Sequence, residues 1–380
     1  MAPASGQDGP DQAAAPRTAA VIGTGLIGTS IALALRSRDT QVWLSDRDQS
    51  SARFAADLGA GQLLPEGDAG RPDGAVDVAV LAVPPAVVAR TLLQAQRRGL
   101  ATCYTDVASV KELPLRNARE LGCDLASFVP GHPMSGRERS GPAAARADLF
   151  AGRSWVICPG REAKPDCVAA VTGLALACGA TPVQLTAAEH DRWVALVSHA
   201  PHLVAAAMAA QCADAPPGAL ALAGPGLRDV TRIAGGDAGL WSEILTANAG
   251  PVREVLTVMA AQLAAAAQML GGVAAGDQEH GKRLTALLEA GREGVARIPG
   301  KRGGPAPVYA VIQVVIGDQP GELARVFAAA GAAGINIEDV RIEHSPGLPV
   351  GVAELSVRPD AAERLAAALS ASGWPVASPP

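Results

Sequence analysis

Aromatic residues are scarce in this 380-residue chain, Phe, Trp and Tyr together making 3% of it. With a formal net charge of −5, that scarcity removes both the stacking platforms and the basic footprint of nucleic-acid binding. Lysine is scarcer still. Four of the 32 basic residues are Lys (Lys111, Lys164, Lys282, Lys301) and the other 28 are Arg; with the visible excess of Ala, that skew reads as genomic base composition rather than function. No run supplies the ~18 apolar residues of a membrane span without a Gly, Pro or charge interrupting it. The six cysteines (Cys103, Cys123, Cys158, Cys167, Cys178, Cys212) form no CxxC pair and mostly sit in apolar runs. They read as small buried hydrophobes, not as a disulfide framework or zinc site. Residues 1–17 lack the basic and apolar regions of a signal peptide and read as a disordered tail, so a cytoplasmic location is expected. What is there is 49% hydrophobic and 18% charged, in a chain long enough for two or three domains.

From 18 to 186 short apolar runs alternate with helical stretches. Strands are expected at 19–22, 41–44, 78–82, 101–105, 127–129, 155–158 and 181–185, with helices at 26–36, 86–98 and 166–178 among them. That alternation predicts a largely parallel, doubly wound α/β sheet of the Rossmann type. From 187 to 297 the strand signals vanish, and long Ala/Leu/Val-rich stretches (188–213, 241–248, 252–270, 277–290) predict an all-helical domain. Its broad apolar surface suits helix-on-helix burial and a homodimer. Residues 298–307, IPGKRGGPAP, form a Pro/Gly linker. Residues 308–380 then read as strand (308–316), helix (322–332), strand (335–343), strand (350–357), helix (361–372) and short strand (374–377). This is the βαββαβ order of ferredoxin-like domains.

Gly23-Thr24-Gly25-Leu26-Ile27-Gly28 follows a predicted strand and opens a predicted helix, the context a dinucleotide fingerprint requires. The first Gly makes the tight turn, the second admits the pyrophosphate, and the third lets helix and strand pack closely. Asp46 ends the second strand 18 residues after Gly28, where a carboxylate accepts from both adenosine ribose hydroxyls and favours NAD. Arg47 beside it is the residue type that welcomes a 2′-phosphate, so NADP stays the alternative.

Three further clusters carry chemistry-bearing side chains. His132, in Gly131-His132-Pro133-Met134-Ser135-Gly136, follows the strand expected at 127–129, and Ser109 follows its neighbour; ligands bind at that edge of open α/β sheets. His132 also reads simply as a turn histidine between Gly and Pro. His199 and His202 share a helix face, and Pro201 between them breaks a local rule beside two ionisable groups. A kinked core helix with satisfied histidines is the alternative reading, whereas a metal site of His132, His199 and His202 matches no ligand motif. Arg228, Asp229 and Arg232 fall within two turns. An Arg reaching into a cleft clamps a carboxylate, but spacing alone favours surface ion pairing.

Taken in order, Gly23–Gly28, Asp106–Lys111, Gly131–Gly136, Glu189–His202 and Asp229–Trp241 resemble the prephenate/arogenate dehydrogenase family of tyrosine biosynthesis, over nearly the whole of 18–295. The C-terminal segment separately resembles an ACT domain, a small regulatory module, through Asp318-Gln319-Pro320-Gly321-Glu322-Leu323 and Gly334-Ile335-Asn336-Ile337. The resemblance implies oxidative decarboxylation: NAD⁺ takes hydride from the ring carbon bearing the hydroxyl, CO₂ leaves, and an aromatic ring forms. It further implies that His132 accepts the hydroxyl proton and Ser109 orients it. Arg232 would clamp the ring carboxylate, with His202 and His199 lining the side-chain end. Glu138 would gate access, and Trp241 would pack behind Arg232. Prephenate is the expected substrate, with arogenate or dual use the alternative. Asp318, Gly321 and Asn336 would offer groups to an amino-acid effector, tyrosine by expectation.

Two rivals share the architecture. β-Hydroxyacid dehydrogenases use a Lys on the first helix of the helical domain, and 187–281 contains none. A non-enzymatic sensor of NAD and amino acids leaves the convergence of Ser109, His132 and Arg232 without purpose.

Overall fold

A computed structural model describes residues 14–65, 74–136, 141–299, 309–344 and 349–377. Glu138, most of the expected tail and most of the expected linker lie outside them. The chain divides into two compact units, Met1–Ala265 and Ala266–Pro380.

The first unit begins β1 (Thr18–Ile22), α1 (Leu26–Arg36), β2 (Gln41–Ser45), α2 (Gln49–Asp57), β3 (Gln62–Leu63), β4 (Val76–Leu81), α3 (Val88–Arg97), β5 (Ala101–Asp106) and α4 (Glu112–Glu120). Its five-stranded sheet runs β3-β2-β1-β4-β5, every pair parallel. The central strands are apolar throughout because both faces are covered. Ala19, Val21, Val78 and Val80 face a core closed by Ile31 and Leu35 of α1. Ala20, Ala79 and Leu81 face the opposite core, with Leu92 of α3 and Phe128. Strand order reverses between β1 and β4, the switch point beside which such sheets bind ligands.

A second sheet follows: β6 (Gly131–Pro133), β7 (Ser154–Ile157), α5 (Pro165–Ala177) and β8 (Thr181–Gln184), ordered β6-β7-β8. Here one expectation is corrected. Residues 127–129 make only a single parallel bridge, Phe128 to Tyr104, and the strand lies at Gly131–Pro133, antiparallel to β7. β-Branched propensity pointed to Val129, and the Gly and Pro around His132 hid the true strand. A second correction concerns cysteine. Cys103 of β5 and Cys167 of α5 are joined in a disulfide across 64 residues, their Cα atoms 5.3 Å apart. No sequence spacing reveals a pair that only strand–helix packing brings together. Cys123, Cys158 and Cys178 are free and buried.

The helical part continues with α6 (Ala187–Val194), a π-helical turn (Ala195–His199), α7 (Ala200–Ala210), α8 (Pro217–Leu220), α9 (Pro225–Thr231), a 3₁₀ turn (Arg232–Gly235), α10 (Ala238–Ala247) and α11 (Ala249–Ala274), whose end belongs with α12 (Gln278–Ala296) to the second unit. Thr186 caps α6 through a reciprocal box with Glu189. The π turn resolves the Pro201 anomaly: the widened turn leaves Pro201 near the start of α7, where its missing N–H costs least. Contrary to expectation from uninterrupted runs, Ala187–Ala210 and Ala249–Ala274 are each long and apolar enough to cross a membrane by length and composition. The first carries Glu189, Asp191 and Arg192 in its opening turns. The second exposes Val258 and Leu263, a surface suited to another protein face.

In the second unit β9 (Ala310–Gly317), α13 (Glu322–Ala332), β10 (Asp339–His344), β11 (Val350–Val357) and α14 (Ala362–Ala371) build an antiparallel sheet ordered β10-β11-β9. The expected last strand is a single bridge, Val376 to Val314. With that bridge the order is the split βαβ arrangement. Alternate residues Ile312, Val314 and Ile316 bury beneath Val326, Leu365 and Leu369. The strand expected from 335 begins at Asp339, so Asn336 lies in the preceding loop, its amide donating to Glu338 at 2.8 Å.

Candidate active site

The glycine turn between β1 and α1 fits a dinucleotide. Gly23 has φ +100°, and a Cβ there would lie 2.2 Å from the Ala82 carbonyl oxygen. A Cβ on Gly28 would lie 1.9 Å from the Gly23 oxygen, whereas Gly25 faces open space. The α1 N-terminus has no side-chain cap and no acid in its first turn, so its free N–H groups and positive dipole end suit a pyrophosphate. Leu26 and Ile27 begin α1, half-buried. Asp46 holds the turn from the second strand. Its Oδ2 accepts from the Thr24 amide (2.6 Å) and hydroxyl (3.0 Å), and its Oδ1 accepts from the Asp48 amide (2.9 Å). Thr24 is buried, its amide and hydroxyl both donated to Asp46, and Asp46 keeps lone pairs for further donors.

His132 sits within β6, opposite Val156. Its Nδ1 lies 2.8 Å from His190 Nε2, and His190 Nδ1 lies 2.7 Å from Asp191 Oδ1. Asp191 also accepts the Lys111 amide at 2.7 Å and the Glu112 amide at 2.9 Å, placing its carboxylate at the N-terminus of α4, where negative charge is favoured. An ionised Asp191 accepts only, so His190 donates from Nδ1 and accepts at Nε2. His132 then donates from Nδ1, and the unprotonated nitrogen of its neutral ring is Nε2. Burial first, then the neighbouring His190, Lys111 and His199, hold the His132 pKa well below its ordinary 6.5. The ring is thus kept neutral, the form of a general base.

Beneath it Lys111, wholly buried, pairs with Asp106 and donates to the Gly131 carbonyl oxygen at 2.5 Å. Ser109 lies half-buried in the same β5–α4 loop, two residues before Lys111. His202 stacks on Trp241 with ring centroids 3.6 Å apart and planes 11° apart. A Cβ on Gly236 would touch both rings, so the turn carrying Arg232 lies against that stack. Arg232 is exposed. His199 is placed differently: it is buried, its Nδ1 3.0 Å from Asn248 Nδ2, which also donates to the Asp191 carbonyl at 2.7 Å. It braces α6 against the start of α11. Reading the sequence missed His190, Asp191, Lys111 and Asn248. The adjacent His190 and Asp191, near the start of a long Ala-rich stretch, were the available signal.

A parallel 3-2-1-4-5 sheet, an open glycine turn at its switch point and a neutral histidine backed by a carboxylate define a nicotinamide-dependent dehydrogenase. The particular family follows from comparison with known proteins. Residues 31–184 match the nucleotide-binding domain of prephenate dehydrogenase and residues 186–289 its dimerization domain. The chain is 40% identical over 367 residues to the probable prephenate dehydrogenase NovF of Streptomyces niveus, covering 95% of this chain and all of that one. It shares its fold with prephenate dehydrogenase of Aquifex aeolicus, solved with hydroxyphenyl propionate and NAD⁺ (TM-score 0.64, 24% identity, 73% of this chain and 98% of that one). Arogenate dehydrogenase of Synechocystis is similar too (TM-score 0.59, 26% identity, 73% and 99% covered). The chain belongs to the prephenate dehydrogenase family.

Proposed function

We propose that this chain carries out the NAD-dependent oxidative decarboxylation of prephenate to 4-hydroxyphenylpyruvate, with His132 as its base. The observation that carries the reading is the His132–His190–Asp191 chain, which presents an unprotonated Nε2 on a half-buried residue past the parallel sheet. NAD⁺, when bound at the Gly23–Gly28 turn, supplies the hydride acceptor. His132 takes the proton of the ring hydroxyl, and the positive charge it gains is shared with His190 and offset by Asp191. Ser109 holds the same hydroxyl. Arg232 clamps the ring carboxylate, and the His202–Trp241 stack lines the side-chain end. Loss of CO₂ makes the ring aromatic and supplies the driving force, so positioning is the main task of the protein.

Replacing His132 by Asn keeps a polar side chain and removes the base. Turnover should fall by about 10²–10⁴-fold, with the KM for prephenate little changed; Arg232→Gln should chiefly raise KM. Near-normal kcat in His132→Asn would remove His132 from the chemistry.

The C-terminal sheet, with Asp318 and Gly321 in the turn between β9 and α13 and Asn336 following that helix, supports an ACT-like module that binds tyrosine as a feedback effector. The apolar faces of the helical part support a homodimer.

A further inference from the structure

Lys111 has no part in the chemistry just described, yet it is among the largest wholly buried side chains of the chain. Burying an ammonium is costly unless it is paired and its hydrogen bonds are met. Its Nζ reaches two groups: the Asp106 carboxylate at the end of β5 and, at 2.5 Å, the carbonyl oxygen of Gly131. Gly131 immediately precedes His132 and is itself confined. A Cβ there would come within 3.0 Å of Thr105 Oγ1 and Trp155 Nε1. The amide of Lys111 donates to Asp191 Oδ1 at 2.7 Å, the same oxygen that holds His190. One residue therefore grips the histidine chain at both ends, the backbone of His132 through its ammonium and the Asp191 carboxylate through its amide.

We propose that Lys111 is a positioning residue for the base, its buried ammonium fixing the Gly131–His132 backbone so that His132, His190 and Asp191 stay in line. The proposal rests on His132 being the base. Asp106 acts with Lys111 as its counter-charge: its Oδ2 accepts from the ammonium and, at 3.0 Å, from the Ala108 amide, while its Oδ1 is buried with no hydrogen-bond partner. The charged and titratable groups that act on His132 are His190 on α6, Lys111 itself and His199 in the π turn; Asp191 on α6 accepts the Lys111 amide, and Cys158 just past β7 lies in the field of Lys111, Asp106, Asp191 and Glu189. A cation at this place opposes protonation of His132, which gives the role a signature that packing alone lacks.

The test compares Lys111→Met and the charge-balanced Asp106→Asn/Lys111→Met with the wild-type full-length enzyme, following NADH formation from prephenate. Both variants should lose kcat by about 10²-fold, the scale of a slightly misplaced reacting group, with KM for prephenate and affinity for NAD⁺ within about threefold of wild type. In Lys111→Met the acid limb of kcat should also move up toward 6.5. A raised KM with kcat preserved would make Lys111 a substrate ligand, and unchanged kinetics would make it inert; either overturns the proposal. If only the balanced variant folds, its kcat decides, and failure of both to fold assigns the pair to stability alone. A wild-type enzyme that makes no NADH from prephenate defeats the proposed function, an outcome distinct from any of these.

Discussion

His132 gains its character from residues behind it. The Asp191 carboxylate sets the tautomer of His190, which in turn sets that of His132, so a neutral His132 carries its unprotonated nitrogen at Nε2. Enclosure among other cations and imidazoles keeps it unprotonated, and activity should persist below the pH at which an ordinary histidine charges. His199 shows the cost of the same enclosure. Burial lowers its pKa from 6.5 to about 4. As pH falls through this window the unfolded chain takes up the proton first. The stability held above 6.5 is therefore lost progressively down to about 4, by at most about 3 kcal/mol. The melting temperature should fall across that interval, and His199→Gln should flatten part of the fall. A wild-type profile level from 6.5 to 4 would contradict the burial of a neutral His199.

At the scale of elements, the β1–α1 turn and the α6–α7 junction place the site. Gly28→Ala puts a methyl group against the Gly23 carbonyl and Ala82, so α1 must shift away from the sheet. Weaker NAD⁺ binding by tenfold or more and a lower melting temperature are expected; wild-type affinity by fluorescence titration would show that the close approach is not needed. The turn was legible in the sequence because its glycines, flanking strand and helix, and Asp46 all lie close together along the chain. The His132–His190–Asp191 chain was legible only in part. His132 stood out between Gly and Pro, but its partners arrive from 58 and 59 residues away, and Lys111 from a loop whose only local mark was a resemblance. The strand carrying His132 was misplaced by a few residues because propensity rewarded Phe128 and Val129 while pairing with β7 selected Gly131–Pro133. The disulfide was invisible for the same reason as the partners of His132: it joins residues that meet only through packing.

At the scale of the molecule, alternation of strand and helix correctly announced a doubly wound sheet, and its end announced the helical part that follows. The βαββα order near the C-terminus was legible from period-2 and helical patterning, and the observed order β10-β11-β9 carries it. Calorimetry with tyrosine on the full chain should show saturable binding, together with slower NADH formation from prephenate. Absence of heat and of inhibition would leave that module without this effector.

The most direct test of His132 as base for the oxidation of prephenate by NAD⁺ is the absorbance of the reduced dinucleotide formed by the wild-type enzyme and by His132→Asn, offered prephenate or arogenate with NAD⁺ or NADP⁺. NADH is expected from prephenate and NAD⁺, nearly abolished in His132→Asn while that variant still binds NAD⁺. No NADH from prephenate, or a His132→Asn enzyme as fast as wild type, would contradict it.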